Sequence, residues 1–210
     1  MEWRKGRLRR AISIEYLGSL WMTAEISGSI VIGAVSGSFA LLAFGGDSVV
    51  ELLSAIVVFS HLNGDVAGSA GLGRRTALAA TVMLFALVPT VSVGAVYSYM
   101  SGFRPEGTLL GMAIAVGAVL VMPYLWLEKR TIGRETRCLP LSVDAVASAT
   151  CFFMSLALLA GLIAEFYFGL WWADYLATAV ILVFVAREGV ESYREIGMVG
   201  YPSVVNPRQP

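Results

Sequence analysis

The chain has 210 residues, of which 57% are hydrophobic and only 14% charged, with a mean hydropathy of +0.74. Soluble domains carry about a quarter charged residues, so this composition excludes an ordinary water-soluble protein and describes an all-α integral membrane protein. Fifteen basic and fifteen acidic residues cancel, which gives no sign of nucleic-acid binding, and one histidine, His61, excludes haem held by two histidines and zinc held by HExxH.

Apolar runs between polar breaks predict six helices in chain order: about Ser13 to Val35, Phe39 to Leu62, Thr76 to Met100, Thr108 to Leu127, Leu141 to Phe168 and Trp172 to Tyr193. At roughly 20 residues per span they use most of the chain and leave no room for a sizeable soluble domain. The expected organisation is a basic tail over residues 1–12, a transmembrane domain over 13–195 and a short tail over 196–210. The breaks are Ser36-Gly37-Ser38, the polar stretch Asn63 to Arg75, Ser101 to Gly107, the charged Glu128 to Arg137, and Gly169-Leu170-Trp171. Such short loops make successive helices antiparallel.

Fourteen of the fifteen basic residues fall on one side of this scheme, Lys129 among them in the loop after the fourth span, and only Arg104 falls on the other. The positive-inside rule therefore places both termini in the cytoplasm of a multi-pass cell-membrane protein. The first run carries Glu15 and Glu25 and is too long for the apolar core of a signal peptide. Trp171, Trp172 and Tyr175 at one end, with Tyr124 and Trp126 at the other, fit interfacial aromatic belts.

With every basic residue assigned to a loop, tail or helix end, acids inside the spans have no expected basic partner. These are Glu25 in the first span, Asp47 and Glu51 in the second, and Asp144 near the start of the fifth. Intramembrane acids are costly, face a cavity or bundle interior, and mark ion paths. Asp47 and Glu51 lie at i, i+4 on one helix face, where their oxygens converge on a common cation. Burial also permits a second reading, with both carboxyls protonated and hydrogen-bonded between helices. Glu15, Glu165 and the charged end at Arg187, Glu188, Glu191 and Arg194 read as edge residues without a role, and Asp174 reads as an acid at its own helix N-terminus. GxxxG patterns at Gly33 to Gly37 and Gly107 to Gly111 mark close helix approach.

The segment from Gly37 to Ala55, with its Gly45-Gly46-Asp47-Ser-Val-Val-Glu51 core, resembles the second helix of cation diffusion facilitator transporters. The fifth span around Asp144 and Cys151 and the Trp172-Ala-Asp174 opening of the sixth resemble the same family, over roughly residues 13 to 195. More narrowly, Trp21 and Glu25 in the first helix resemble a short prokaryotic branch that has only the transmembrane domain. The resemblance implies six helices with cytoplasmic ends, a homodimer, and proton-coupled efflux of zinc or another divalent transition metal, with no enzymatic activity.

Two features depart from the family pattern. Ala147 and Cys151 stand where the fifth helix usually offers metal ligands, and no cytoplasmic metal-binding domain follows residue 196. Laying the fifth span on the second at an offset of one hundred residues pairs Cys151 with Glu51, Ala147 with Asp47 and Asp144 with Phe44. Cys151 is either a thiolate ligand or inert packing. The expected metal-binding residues are Asp47, Glu51, Glu25, Cys151 and Asp144. Their mix of oxygen and sulfur leaves zinc, manganese, iron and cobalt open as cargo, exchanged for protons. The alternative is a non-transporting partner or metal-sensing protein that keeps the transporter fold.

Overall fold

In lipid, a backbone that is neither helical nor closed into a barrel leaves polar groups unpaired. The computed structural model describes residues 2–62, 66–136 and 138–198, and these residues form α-helices and no strand. The helices are α1 (Glu2–Ser36), α2 (Phe39–Leu62), α3 (Val66–Met100), α4 (Leu109–Thr136), α5 (Leu139–Phe168) and α6 (Trp172–Met198). Five contain a stretch long and apolar enough to cross a membrane. The sixth, α6, has its apolar stretch bounded by Asp174 and by Arg187 and Glu188, yet it runs through the bundle against α2, α3 and α5.

The sequence predicts the bounds of α2 and the breaks around 36–38, 101–107 and 169–171 closely, and draws the two charged or polar breaks, 63–75 and 128–137, too wide. α1 starts at Glu2 rather than Ser13, and α3 at Val66 rather than Thr76. α4 runs to Thr136 through the charged stretch expected to be a loop. Arginine, lysine and glutamate are good helix formers, so loss of apolarity ends the membrane stretch without ending the helix. Residues 63–65, 137 and 199–210, and the side chains of His61, Arg74 and Arg75, lie outside the described residues.

The helices form a closed ring in the order α1, α2, α3, α6, α5, α4, with α2 also touching α5 and α6 across it. α2 is thus the hub, in contact with α1, α3, α5 and α6. Burial is inverted relative to a soluble protein. Val35, Met100 and Leu120 are 85%, 81% and 70% exposed, as expected of a lipid-facing surface, while Glu15, Ser29, Ser48, Lys129, Asp144 and Ser148 are buried.

Small residues allow this closeness. At Gly45 a Cβ would stand 3.0 Å from the Cβ of Ser29 and 3.3 Å from the backbone nitrogen of Ile30, so α1 and α2 meet nearly backbone to backbone. Both GxxxG patterns are consumed inside the chain. Gly33 packs on Leu41 and Leu42, Gly37 on Phe103, Gly107 on the backbone of Phe166, and Gly111 on Leu41 and its own Thr108. On the α5–α6 seam a Cβ at Gly161 would lie 2.7 Å from the Cβ of Ala177 and 3.3 Å from the carbonyl oxygen of Ala173. Gly161→Val is expected to push the two helices apart and cost about 1–3 kcal/mol, read as a lower midpoint of unfolding in detergent.

Asp174 also acts differently from the sequence expectation. Its carboxylate accepts hydrogen bonds from Ser38 Oγ at 2.5 Å and from the Phe39 backbone N–H at 3.0 Å. Although it lies in the first turn of α6, it caps the N-terminus of α2, where an anion meets both the unpaired N–H groups and the positive end of the helix dipole. Ser38 Oγ in turn accepts from the Leu41 N–H at 3.1 Å. This fixes the depth of α2, and with it Asp47 and Glu51, relative to α6.

Candidate metal site

Two of the five expected residues lie on α2, and a third faces them from α1. Asp47 and Glu51, one turn apart, are 1% and 2% exposed, and Glu25 of α1 is 1% exposed. Glu25 faces both Asp47 and Glu51 electrostatically. None of the six carboxyl oxygens has a hydrogen-bond partner. Unpaired buried acceptors cost free energy, and a native fold tolerates so many only where a proton or a cation completes them. Cys151, fully buried on α5, stands beside the Glu51 carboxyl and also faces Glu25 and Asp47. Both cysteines are free thiols. Asp144, Ser148 and Cys151 share the buried face of α5, as their spacing requires.

Asp144 belongs to a different arrangement, and the expectation that no intramembrane acid has a basic partner fails there. Lys129 is fully buried, and its ammonium donates to Asp144 Oδ2 and lies 3.5 Å from Glu15 Oε2. The physical reason is the extra length of α4. As a helical residue rather than a loop residue, Lys129 follows Leu125 on the inward face and crosses the seam beside Gly18 of α1. Glu15, read as an edge residue, is likewise fully buried. Outside this group Arg10 pairs with Glu128 at 2.5 Å and Arg7 with Glu135 at 3.0 Å, which zips the same end of α1 to α4.

Glu188, which the sequence places at a wet helix end, is a further inward residue. Arg187 and Glu191 do pair on the surface at 3.8 Å, as an i, i+4 ion pair. Glu188 instead turns inward: its carboxyl is within hydrogen-bonding reach of Asp47, faces Asp144, and buries Oε2 with no donor. The signal that could have found it is the stripe Asp174, Ala177, Ile181, Val185, Glu188, which keeps helical spacing across the apolar-to-polar boundary.

The acids therefore run along the bundle. Glu165 is buried with both oxygens unpartnered and faces Asp174 and Glu106, at the end opposite the chain termini. Glu25 faces Asp47 and Glu51, Glu51 and Glu188 each face Asp144, and Asp144 is paired with Lys129 beside Glu15. Among the described residues, no three His, Cys, Asp or Glu side chains come close enough together to hold a metal ion in this arrangement. An open cavity of about 420 Å³ beside Trp126, Arg130, Arg134 and Ser142, between α4 and α5, is lined by two arginines and no acid, which does not suit a cation.

A membrane-embedded helical ring with carboxylates buried along its interior defines a cation-handling transport protein. Residues 19–197 match the cation efflux transmembrane domain, and the chain belongs to that family of metal cation transporters. No curated protein shows a significant match to the sequence.

Proposed function

We propose that the chain exports a divalent transition metal in exchange for protons, with Asp47 and Glu51 as the principal metal ligands and Glu25 as a third from α1. The observation that carries this reading is six buried carboxyl oxygens on α1 and α2 without a donor among them. Carboxylates that lack donors bind a hard or borderline cation, and protons compete for the same oxygens, which couples the two fluxes. Cys151, beside Glu51, adds a softer donor and biases the site toward zinc over manganese. Asp144 is held by Lys129 and is not included in the ligand set.

Orientation follows the basic residues, with both termini in the cytoplasm of the cell membrane. The working assembly is a homodimer. Its contact must be built from surfaces other than the two GxxxG patterns, because those already pack within the chain.

The test is flux into sealed proteoliposomes under an imposed proton gradient, with zinc, manganese, cobalt and ferrous iron supplied singly. One ion is expected to move and to carry protons the other way. Cys151→Ala is expected to lower zinc flux by roughly tenfold while sparing manganese, since removing one soft ligand costs more for the softer ion. If no ion moves, transport is refuted and a metal-sensing role takes its place.

A further inference from the structure

Beyond Glu25 of α1 and the Cys151 thiol of α5, α5 offers the α2 pair no free carboxylate. Ala147 presents a methyl group at the position one hundred residues after Asp47, and Asp144 is occupied by an ammonium. Opposite Asp47, from α6, stands Glu188. Two carboxylates in hydrogen-bonding reach are both acceptors, so nothing joins them unless a proton or a cation lies between. Asp47 Oδ1 and Oδ2 and Glu188 Oε2 are all buried without a donor. Among the described residues, the charged groups facing Glu188 are Asp47 on α2, Asp144 on α5 and Glu191 on its own helix, and none of these is a cation.

We propose that Glu188 is a further carboxylate of the cation site, supplied from α6 beside Asp47, Glu51 and Glu25, in place of the fifth-helix carboxylate that Ala147 lacks. The inference rests on the reading of Asp47 and Glu51 as metal ligands. Since among the described residues no three of these carboxyls come together on one point in this arrangement, ligation brings Glu188 and Asp47 together by side-chain rotation. A glutamate has three side-chain torsions for that motion, and Glu188 is only partly buried, so the rotation does not require the bundle to open. Glu188 faces both Asp47 and Asp144.

The experiment has two arms, both on the full chain in proteoliposomes with zinc, manganese, cobalt or ferrous iron alone. In the first, Glu188→Gln is expected to raise KM for the transported metal by roughly tenfold or more, with Glu188→Asp intermediate and exposed Glu191→Gln unchanged. A wild-type KM in Glu188→Gln overturns the inference. If Asp47→Asn also transports normally, the parent reading fails as well; if it does not transport, only the role of Glu188 is lost. The second arm needs no variant: a hydrophobic carbodiimide labels buried carboxyls of the wild-type protein, and adducts are counted by mass spectrometry with and without metal. Parallel metal protection of Asp47 and Glu188 is expected. Protection of Asp47 with undiminished labelling of Glu188 overturns the inference even if the substituted proteins fail to fold.

Discussion

Asp47→Ala is expected to lower metal flux by roughly two orders of magnitude or more while leaving the protein as stable as the parent or more so. The two directions have one cause. In the absence of metal the Asp47 carboxyl is buried on α2, faces the acids Glu25 and Glu188, and receives no hydrogen bond, so the fold bears its desolvation without return. Removing it relieves that cost. A cation crossing the bundle, by contrast, loses a charged ligand in a low-dielectric interior. Breaking such a buried pair costs about 3–5 kcal/mol, which corresponds to a factor of at least a hundred in rate or affinity. Flux assays paired with unfolding in detergent without metal check both directions. If flux disappears only because the protein has unfolded, the carboxylate is structural and the transport assignment at Asp47 is wrong. Retained flux in a stable variant refutes it outright.

Much of this site is legible in the sequence because α2 is bounded by clear signals. Ser36-Gly37-Ser38 interrupts two apolar runs, Gly37 takes the left-handed conformation at φ 71°, and α2 spans Phe39–Leu62 as its composition predicts. Within a helix, i, i+4 spacing alone puts Asp47 and Glu51 on one face. Other features are hidden because a charged residue also marks the end of an apolar run. The inward face of α4 carries Gly111, Ala115, Ala118, Met122, Leu125, Lys129 and Ile132 at steps of three and four, so the stripe passes through the lysine without a break. On α1 the buried positions Ala11, Glu15, Gly18, Met22, Glu25 and Ser29 behave in the same way. A charged residue on such a stripe belongs to the interior whatever its neighbours in sequence. The capping of α2 by Asp174 was not legible from local sequence, because it depends on which helix ends the fold brings together.

Lys129→Met is expected to destabilise the fold by about 3–5 kcal/mol, because it leaves two acids buried with no counter-charge. Lys129, Glu15 and Asp144 are each no more than 1% exposed, so water cannot take the place of the ammonium. The pairing joins α4 to both α1 and α5, the two helices that bring Glu25 and Cys151 to the α2 pair. Loss of the lysine should therefore lower both the unfolding midpoint and the yield of inserted protein. The triple variant Glu15→Gln, Lys129→Met, Asp144→Asn separates a structural role from a transport role, since it keeps side-chain shape and removes all three charges together. Replacing a buried ion pair by neutral groups of similar volume is often neutral or stabilising, so the triple variant should regain parental stability. It should also regain metal flux, because neither acid of this group lies in the proposed ligand set. A stable triple variant that no longer carries metal would move Asp144 or Glu15 onto the ion path and make Lys129 a tethered competitor for the cargo.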